Sequence, residues 1–198
     1  MNLLYREFYI RDTLTIAHEL LGKTLVHGDT SGIIVETEAY KGPADAAAHS
    51  FGGRRTPRTE IMYGPGGYAY VYLIYGMYCC LNVVTSVIDK PECVLIRALE
   101  PVAGIDIMRV RRNIKNKPDR ELCGGPGRLC DALAIDRSCL GADLCPEVIN
   151  PSSLYITEGI NVSENGIEAT PRIGVDYAGE AKHYLWRFII KGNKYVSK

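Results

Sequence analysis

Apolar and polar positions along the chain switch repeatedly between helical and strand periods. From Thr13 to Leu21 the apolar positions recur at helical spacing, with Asp12 placed to cap the first turn and Gly22 just past the last. Lys23–Val26 and Ile33–Tyr40 read as a hairpin turning through Gly28, Asp29 and Thr30. A long polar, glycine-rich loop follows from Lys41 to Arg55, and Thr56-Pro57 opens a short helix to about Met62. Ala69–Tyr75 and Tyr78–Val84 read as strands joined tightly at Gly76-Met77, and Cys93–Leu99 as a further apolar strand. Gly104–Arg112 predicts a helix, Asn113–Glu121 a charged loop, and Pro126 to about Ile135 another helix. The last third alternates short strands and turns, ending in Trp186–Ile190. There is no internal repeat or long linker. The mixture predicts one α+β domain over residues 1–198, built around an antiparallel or mixed sheet.

Composition narrows the setting. A chain of 198 residues, 46% hydrophobic and 23% charged, suits one soluble core. No apolar run approaches the roughly 20 residues of a membrane helix, and the charged N-terminus is not that of a signal peptide. An intracellular protein without membrane association is expected. The 7 cysteines are odd in number and show no metal-ligand spacing, so buried, reduced thiols are expected rather than disulfides or a metal site. The formal net charge of zero argues against nucleic-acid binding through global charge but leaves room for a local basic face. Arg54, Arg55 and Arg58 form one candidate. Arg109, Arg111, Arg112, Lys115 and Lys117 form another, which reads more readily as a solvated helix face.

Three places carry residues that a plain core would not use. On the strand Ile33–Tyr40, alternation puts Val35, Thr37 and Ala39 on one face and Glu36, Glu38 and Tyr40 on the other. The pattern fits either an exposed edge or a carboxylate at a pocket rim placed to act as a base, and the strand's entry into the long loop favours the pocket. His49 lies within that loop. The run YAYVYLIYGMY holds Tyr68, Tyr70, Tyr72, Tyr75 and Tyr78, in a chain with 13 Tyr and only 3 Phe. Such an excess of hydroxyls implies half-wet surfaces or hydrogen-bonding pockets. Tyr70 and Tyr72 share a face, whereas Tyr75 falls beside the turn. Aromatics can stack on an extruded base or fill the gap it leaves. Asn82 and Arg97 are polar positions inside apolar strands. Arg97 fits either an internal salt bridge, with Glu100 or Glu38, or a nucleotide contact. Gly124-Gly125-Pro126-Gly127-Arg128 precedes a helix and could hold a phosphate, but lacks the ending of a P-loop.

The segments IVETEAYKGPADAAAHS, GGRRTPR, YVYLIYGMYCCLN, VLIRALEP, RELCGGPGRLCDALAI and RIGVDYAGE together resemble the alkyladenine (3-methyladenine) DNA glycosylase family. The resemblance spans nearly the whole chain. It implies a single α+β domain around a curved antiparallel sheet with a protruding hairpin. It implies Glu38 as general base, Tyr40 and His49 stacking on one face of a flipped base, and Tyr72 on the other. It implies Tyr75 as the side chain inserted into the vacated place, and Asn82 as the residue that disfavours guanine. Arg97 would contact the flipped nucleotide. Arg54, Thr56, Arg58, Met77, Gly127 and Arg128 match backbone and groove contacts. The chain departs from the family after Asn82, where it reads VVTSVIDKPEC, and at Gly127, where a serine can occur. The expected activity is release of alkylated or deaminated purines from double-stranded DNA by a monofunctional, monomeric enzyme without metal or cofactor. The alternatives are a non-catalytic nucleic-acid module and a hydrolase of free nucleosides.

Overall fold

The computed structural model describes residues 2–115 and 117–197. Met1, Lys198 and, within the predicted charged loop, Asn116 lie outside the described residues. Two short helices, α1 (Arg6–Tyr9) and α2 (Thr13–Glu19), precede strands β1 (Thr24–His27) and β2 (Thr30–Tyr40). Then come β3 (Ala69–Ile74), β4 (Tyr78–Thr85) and β5 (Glu92–Ala103). Helices α3 (Ile105–Arg111), α4 (Arg120–Cys123) and α5 (Pro126–Leu133) follow, with β6 (Leu154–Thr157), β7 (Ile167–Thr170) and β8 (Arg187–Ile190) at the end. All pairings are antiparallel, in the order β3-β4-β5-β2-β1-β6, with β8 joining β2 to β7. The result is a curled half-barrel with peripheral helices and a projecting β3–β4 hairpin, the α+β class expected.

Strand β2 is the spine. Its first half pairs with β1, its residues Glu36–Glu38 pair with β8, and β5 runs along its other edge. The β2–β5 ladder is irregular where Ile34 pairs with Leu99, Glu36 with Ala98 and Thr37 with Ile96. Val35 and Arg97 are therefore the extra residues, one on each strand. Such bulges bend a sheet and re-aim side chains. They correct the simple alternation read from the sequence. Val35 packs with Ala98 and Tyr195, away from Ala39, which lies in the main core with Ile34. Thr37 also faces that side, where its hydroxyl donates to the Ala17 carbonyl of α2 at 2.7 Å.

The Asp12 cap is present, accepting from the Leu14 and Thr15 amides. The short helix predicted after Thr56-Pro57 is instead a turn and a 3₁₀ segment, Glu60–Tyr63. Part of the predicted charged loop forms α4. Helix α5 lies across β4 and buries Leu129, Cys130, Ala132 and Leu133. Six of the cysteines are buried and Cys145 is half-buried. The second basic stretch is largely tied down, since Arg109 pairs with Asp119, Arg112 with Asp131, and Arg111 donates to the Ala132 carbonyl. Among the described residues no helix is long and apolar enough to cross a membrane.

Candidate active site

Beneath the mouth of the half-barrel lies a cavity of about 470 Å³ lined by Tyr40, His49, Tyr72, Asn82, Arg97 and neighbours. Glu38 has no exposed surface and does not itself line the cavity, but it is bonded to three residues that do. Its Oε1 accepts from the Ile173 amide at 2.7 Å, and its Oε2 accepts from the Tyr40 hydroxyl at 2.8 Å and Arg97 Nη1 at 3.2 Å. Glu36 is equally buried. It accepts from Arg97 Nε at 2.9 Å, Arg187 Nε at 2.7 Å, and both the amide and hydroxyl of Ser197. Burial pushes the Glu36 carboxyl up, but Arg97, the Ser197 amide and Arg187 outweigh it and hold the group below the usual range. Burial overturns the exposed-edge reading for both glutamates. Arg97 makes the internal salt bridge with Glu38 and Glu36, not with Glu100, while still lining the cavity.

The walls are aromatic. The rings of His49 and Tyr72 meet edge to face with centroids 4.6 Å apart, and Tyr70 and Tyr72 lie 5.4 Å apart. Inserting a flat base between two rings needs roughly 7 Å, twice a carbon–carbon contact. His49 and Tyr72 therefore stand in one wall. This differs from the grouping of His49 with Tyr40 that the resemblance implied. Burial, and then the nearby Arg58, depress the His49 pKa to about 4. Arg58 Nη2 lies 3.4 Å from His49 Nε2, and His49 Nδ1 shares a hydrogen bond with the Tyr70 hydroxyl at 2.8 Å. Burial and Glu38 raise the Tyr40 pKa well above the ordinary tyrosine value, keeping its hydroxyl a donor. Asn82 on β4 is held by the Tyr70 carbonyl and the Cys93 thiol.

The hairpin tip and the basic loop stand out from this pocket. Tyr75 is 83% exposed and adopts φ 53°, beside Gly76 at φ 70° and the exposed Met77. Positive φ at both positions matches the twist of a tight hairpin, yet it is costly for a tyrosine. Gly127 abuts Tyr78 so closely that an added Cβ would lie 3.0 Å from the tyrosine Cβ, which gives this position a packing reason to be glycine. In the GGRR loop Arg55 is neutralised by Glu60 and Asp89. Arg54 is exposed, Thr56 half-buried, and Arg58 lies over the Tyr72 ring at 4.8 Å. Arg128 pairs with Glu121 at 2.9 Å.

A family model for methylpurine-DNA glycosylase matches residues 7–194. The chain belongs to the methylpurine-DNA glycosylase family. That places it among DNA repair enzymes that bind DNA. Three relatives carry the provisional name 3-methyladenine DNA glycosylase. One, from Clostridium acetobutylicum, is 54% identical over 204 residues, covering 98% of this chain and 97% of its own. Another, from Clostridium novyi, is 50% identical over the full length of both. A third, from Bacillus cereus, is 52% identical over 96% of this chain and 97% of its own.

One feature of this methylpurine-DNA glycosylase-family site carried no predicted role. Arg172 is buried, with its guanidinium on Asp45 at 2.6 and 2.8 Å and on the Ala39 carbonyl at 2.9 Å. It lies 4.8 Å from the Tyr40 ring centre and 5.0 Å from that of Trp186. Asp45 in turn accepts from the Lys41 and Ala47 amides, shaping the loop that carries His49. Ile173, next to Arg172 in the chain, supplies the amide on Glu38. One ion pair thus joins the Tyr40 ring, the His49 loop and the carboxylate. Its partners are 127 positions apart, so no local pattern in the chain could have disclosed it.

Proposed function

We propose that this chain is a monofunctional DNA N-glycosylase that flips a damaged purine out of double-stranded DNA and hydrolyses it from its sugar. The single observation that carries the reading is Glu38, buried and hydrogen-bonded to Tyr40, Arg97 and Ile173, three residues that line a tyrosine-walled cavity. A carboxylate has about four lone-pair sites, so three bonds leave one for the proton of a water. Cleavage of such a bond passes through oxocarbenium character at the sugar, which a fixed carboxylate stabilises while it activates that water. Arg97 acts here by orienting Glu38.

In this reading Tyr40 covers one face of the flipped base, and His49 and Tyr72 the other. Asn82 crowds the exocyclic amine of guanine, and Tyr75 fills the vacated place in the stack. Arg54, Thr56, Arg58, Met77, Gly127 and Arg128 meet the backbone and groove. The names carried by the relatives support alkylated purines of the 3-methyladenine type, and we add deaminated and etheno purines such as hypoxanthine and ethenoadenine. A cationic lesion leaves unaided. His49 is unprotonated at neutral pH, so a neutral purine draws its leaving-group assistance from backbone N–H groups of the His49 loop. No lysine lines the cavity among the described residues, which supports hydrolysis without Schiff-base strand cleavage. The chain acts inside the cell as a monomer.

Incubation with duplexes that each carry one lesion tests this. Alkylated and deaminated purines should be released, leaving an intact abasic strand, from a protein that elutes as a monomer. Tight binding of lesion duplex without any base release would mark a non-catalytic module, and faster cleavage of free nucleosides than of duplex would mark a nucleoside hydrolase.

A further inference from the structure

Beside the base pocket lies a second cleft of about 360 Å³, sharing His49, Arg58 and Tyr177 with it. Two aromatic rings line this cleft in open solvent. Phe51 is 53% exposed and Tyr177 is 71% exposed. The loop brings Phe51 out through Gly52 and Gly53, which have φ 67° and 79° and open space where a side chain would go. Tyr177 is anchored by its hydroxyl, which donates to the Ala47 carbonyl at 3.3 Å. The cationic groups divide in the same way. Arg55, between the other two, is committed to Glu60 and Asp89 and does not line the cleft. Arg54 and Arg58 do line it, and neither has a carboxylate partner among the described residues. Exposed rings that cost free energy in water, combined with arginines not neutralised by a carboxylate, form the kind of platform on which unpaired nucleic acid binds. The bases stack on the aromatics while the phosphates meet the cations.

We propose that this cleft is a second nucleotide site. It takes the nucleotide next to the flipped one on the same strand when that nucleotide is unpaired, with its base on Phe51 and Tyr177 and its phosphate at Arg54 and Arg58. The proposal rests on reading the first cavity as the base pocket, since the shared wall of His49, Arg58 and Tyr177 then puts the neighbouring nucleotide at the cleft. In an intact duplex that neighbour stays paired and stacked, and the cleft gains only its phosphate. Single-stranded, frayed or bulged DNA can fill the cleft completely. The enzyme is thereby equipped to hold lesions outside a perfect helix.

The test compares the full-length protein with Phe51→Ala and Phe51→Trp. It measures binding of an undamaged single-stranded oligonucleotide by fluorescence anisotropy, and base release from hypoxanthine in single-stranded and duplex DNA. Phe51 does not line the base pocket. We expect Phe51→Ala to weaken single-strand binding about tenfold, the scale of losing one base–aromatic stack. It should raise KM on the single strand similarly while leaving duplex release within about threefold. Phe51→Trp should bind the single strand at least as tightly as the native protein, which separates stacking from a folding defect. Equal losses on single strand and duplex, or no loss on either, would overturn the cleft. So would native protein that releases base from duplex yet fails to bind the single strand. Native protein that binds the single strand through Phe51 but releases no base from any substrate would overturn the base-pocket reading instead.

Discussion

The floor of the cavity and its rim are built on opposite terms. On the floor and behind it, Arg97 lines the cavity while Glu36, Glu38, Asp45 and Arg172 lie behind the lining, all five are buried, and every charge meets its opposite. At the rim, Tyr75, Met77, Phe51 and Tyr177 expose apolar surface, Tyr75 sits at positive φ, and Arg54 and Arg58 lack carboxylate partners. Buried charges hold one arrangement because any unpaired alternative is expensive. Exposed rings and cations without a carboxylate gain further partners when a ligand arrives. The contrast shows where this protein accepts cost. It fixes the groups that would do chemistry and leaves unsatisfied the groups that would capture DNA.

Breaking a pair on the floor should have the largest effect. Asp45→Asn leaves Arg172 as an uncompensated buried charge and should cost about 3–5 kcal/mol of stability. Chemical denaturation measures it, and a loss near zero would mean the pair holds nothing in place. Glu38→Gln should keep lesion-duplex binding while slowing base release at least about 100-fold, the scale of a general base. Near-normal single-turnover release would remove Glu38 from the proposed role.

Acid should act on the wall between floor and rim. His49 has a folded pKa of about 4 against an ordinary 6.5, so the unfolded chain binds more protons in between. Its contribution to stability is complete above that window and is lost as pH falls from 6.5 toward 4. His49→Gln should flatten the Tm–pH curve across this range, and an unchanged slope would show that another group titrates there.

The rim variants should spare the fold. Arg54→Ala should weaken duplex binding and lower the salt slope by about one, whereas the internally paired Arg55→Ala should leave that slope unchanged. Equal slopes for the two would erase the distinction between free and committed arginines. Tyr75→Gly should stabilise the protein by up to about 1 kcal/mol, by relieving the positive φ, while reducing excision from duplex. A variant that is both stabilised and fully active would deny the tip any part in binding.

Much of this was legible in the chain. Period and punctuation located α2 with its Asp12 cap, the β1–β2 and β3–β4 hairpins and α5, because these depend on neighbours in sequence. The motif around Glu38, Tyr40 and His49 marked the region of the cavity, and the tyrosine excess in the run from Tyr68 to Tyr78 signalled hydroxyl-lined walls. Strict alternation failed at Val35, since a bulge depends on the opposing strand β5 as much as on β2. Pattern also could not separate an exposed glutamate from a buried one. That difference lies in Arg97, Arg187 and the Ile173 amide, all distant along the chain.

By itself, then, the sequence determined the local elements, the family and the residue types available for chemistry, because backbone propensity and short motifs are written in consecutive positions. Only the tertiary structure decided which charges are paired and which are left free. It buried Glu38 against the cavity-lining Tyr40 and Arg97, set His49 against Tyr72, engaged Arg172 with Asp45, and left Arg54 without a carboxylate partner beside Arg55. Burial and pairing are properties of atoms brought together from far along the chain, and it is these that set the free energy of a charge.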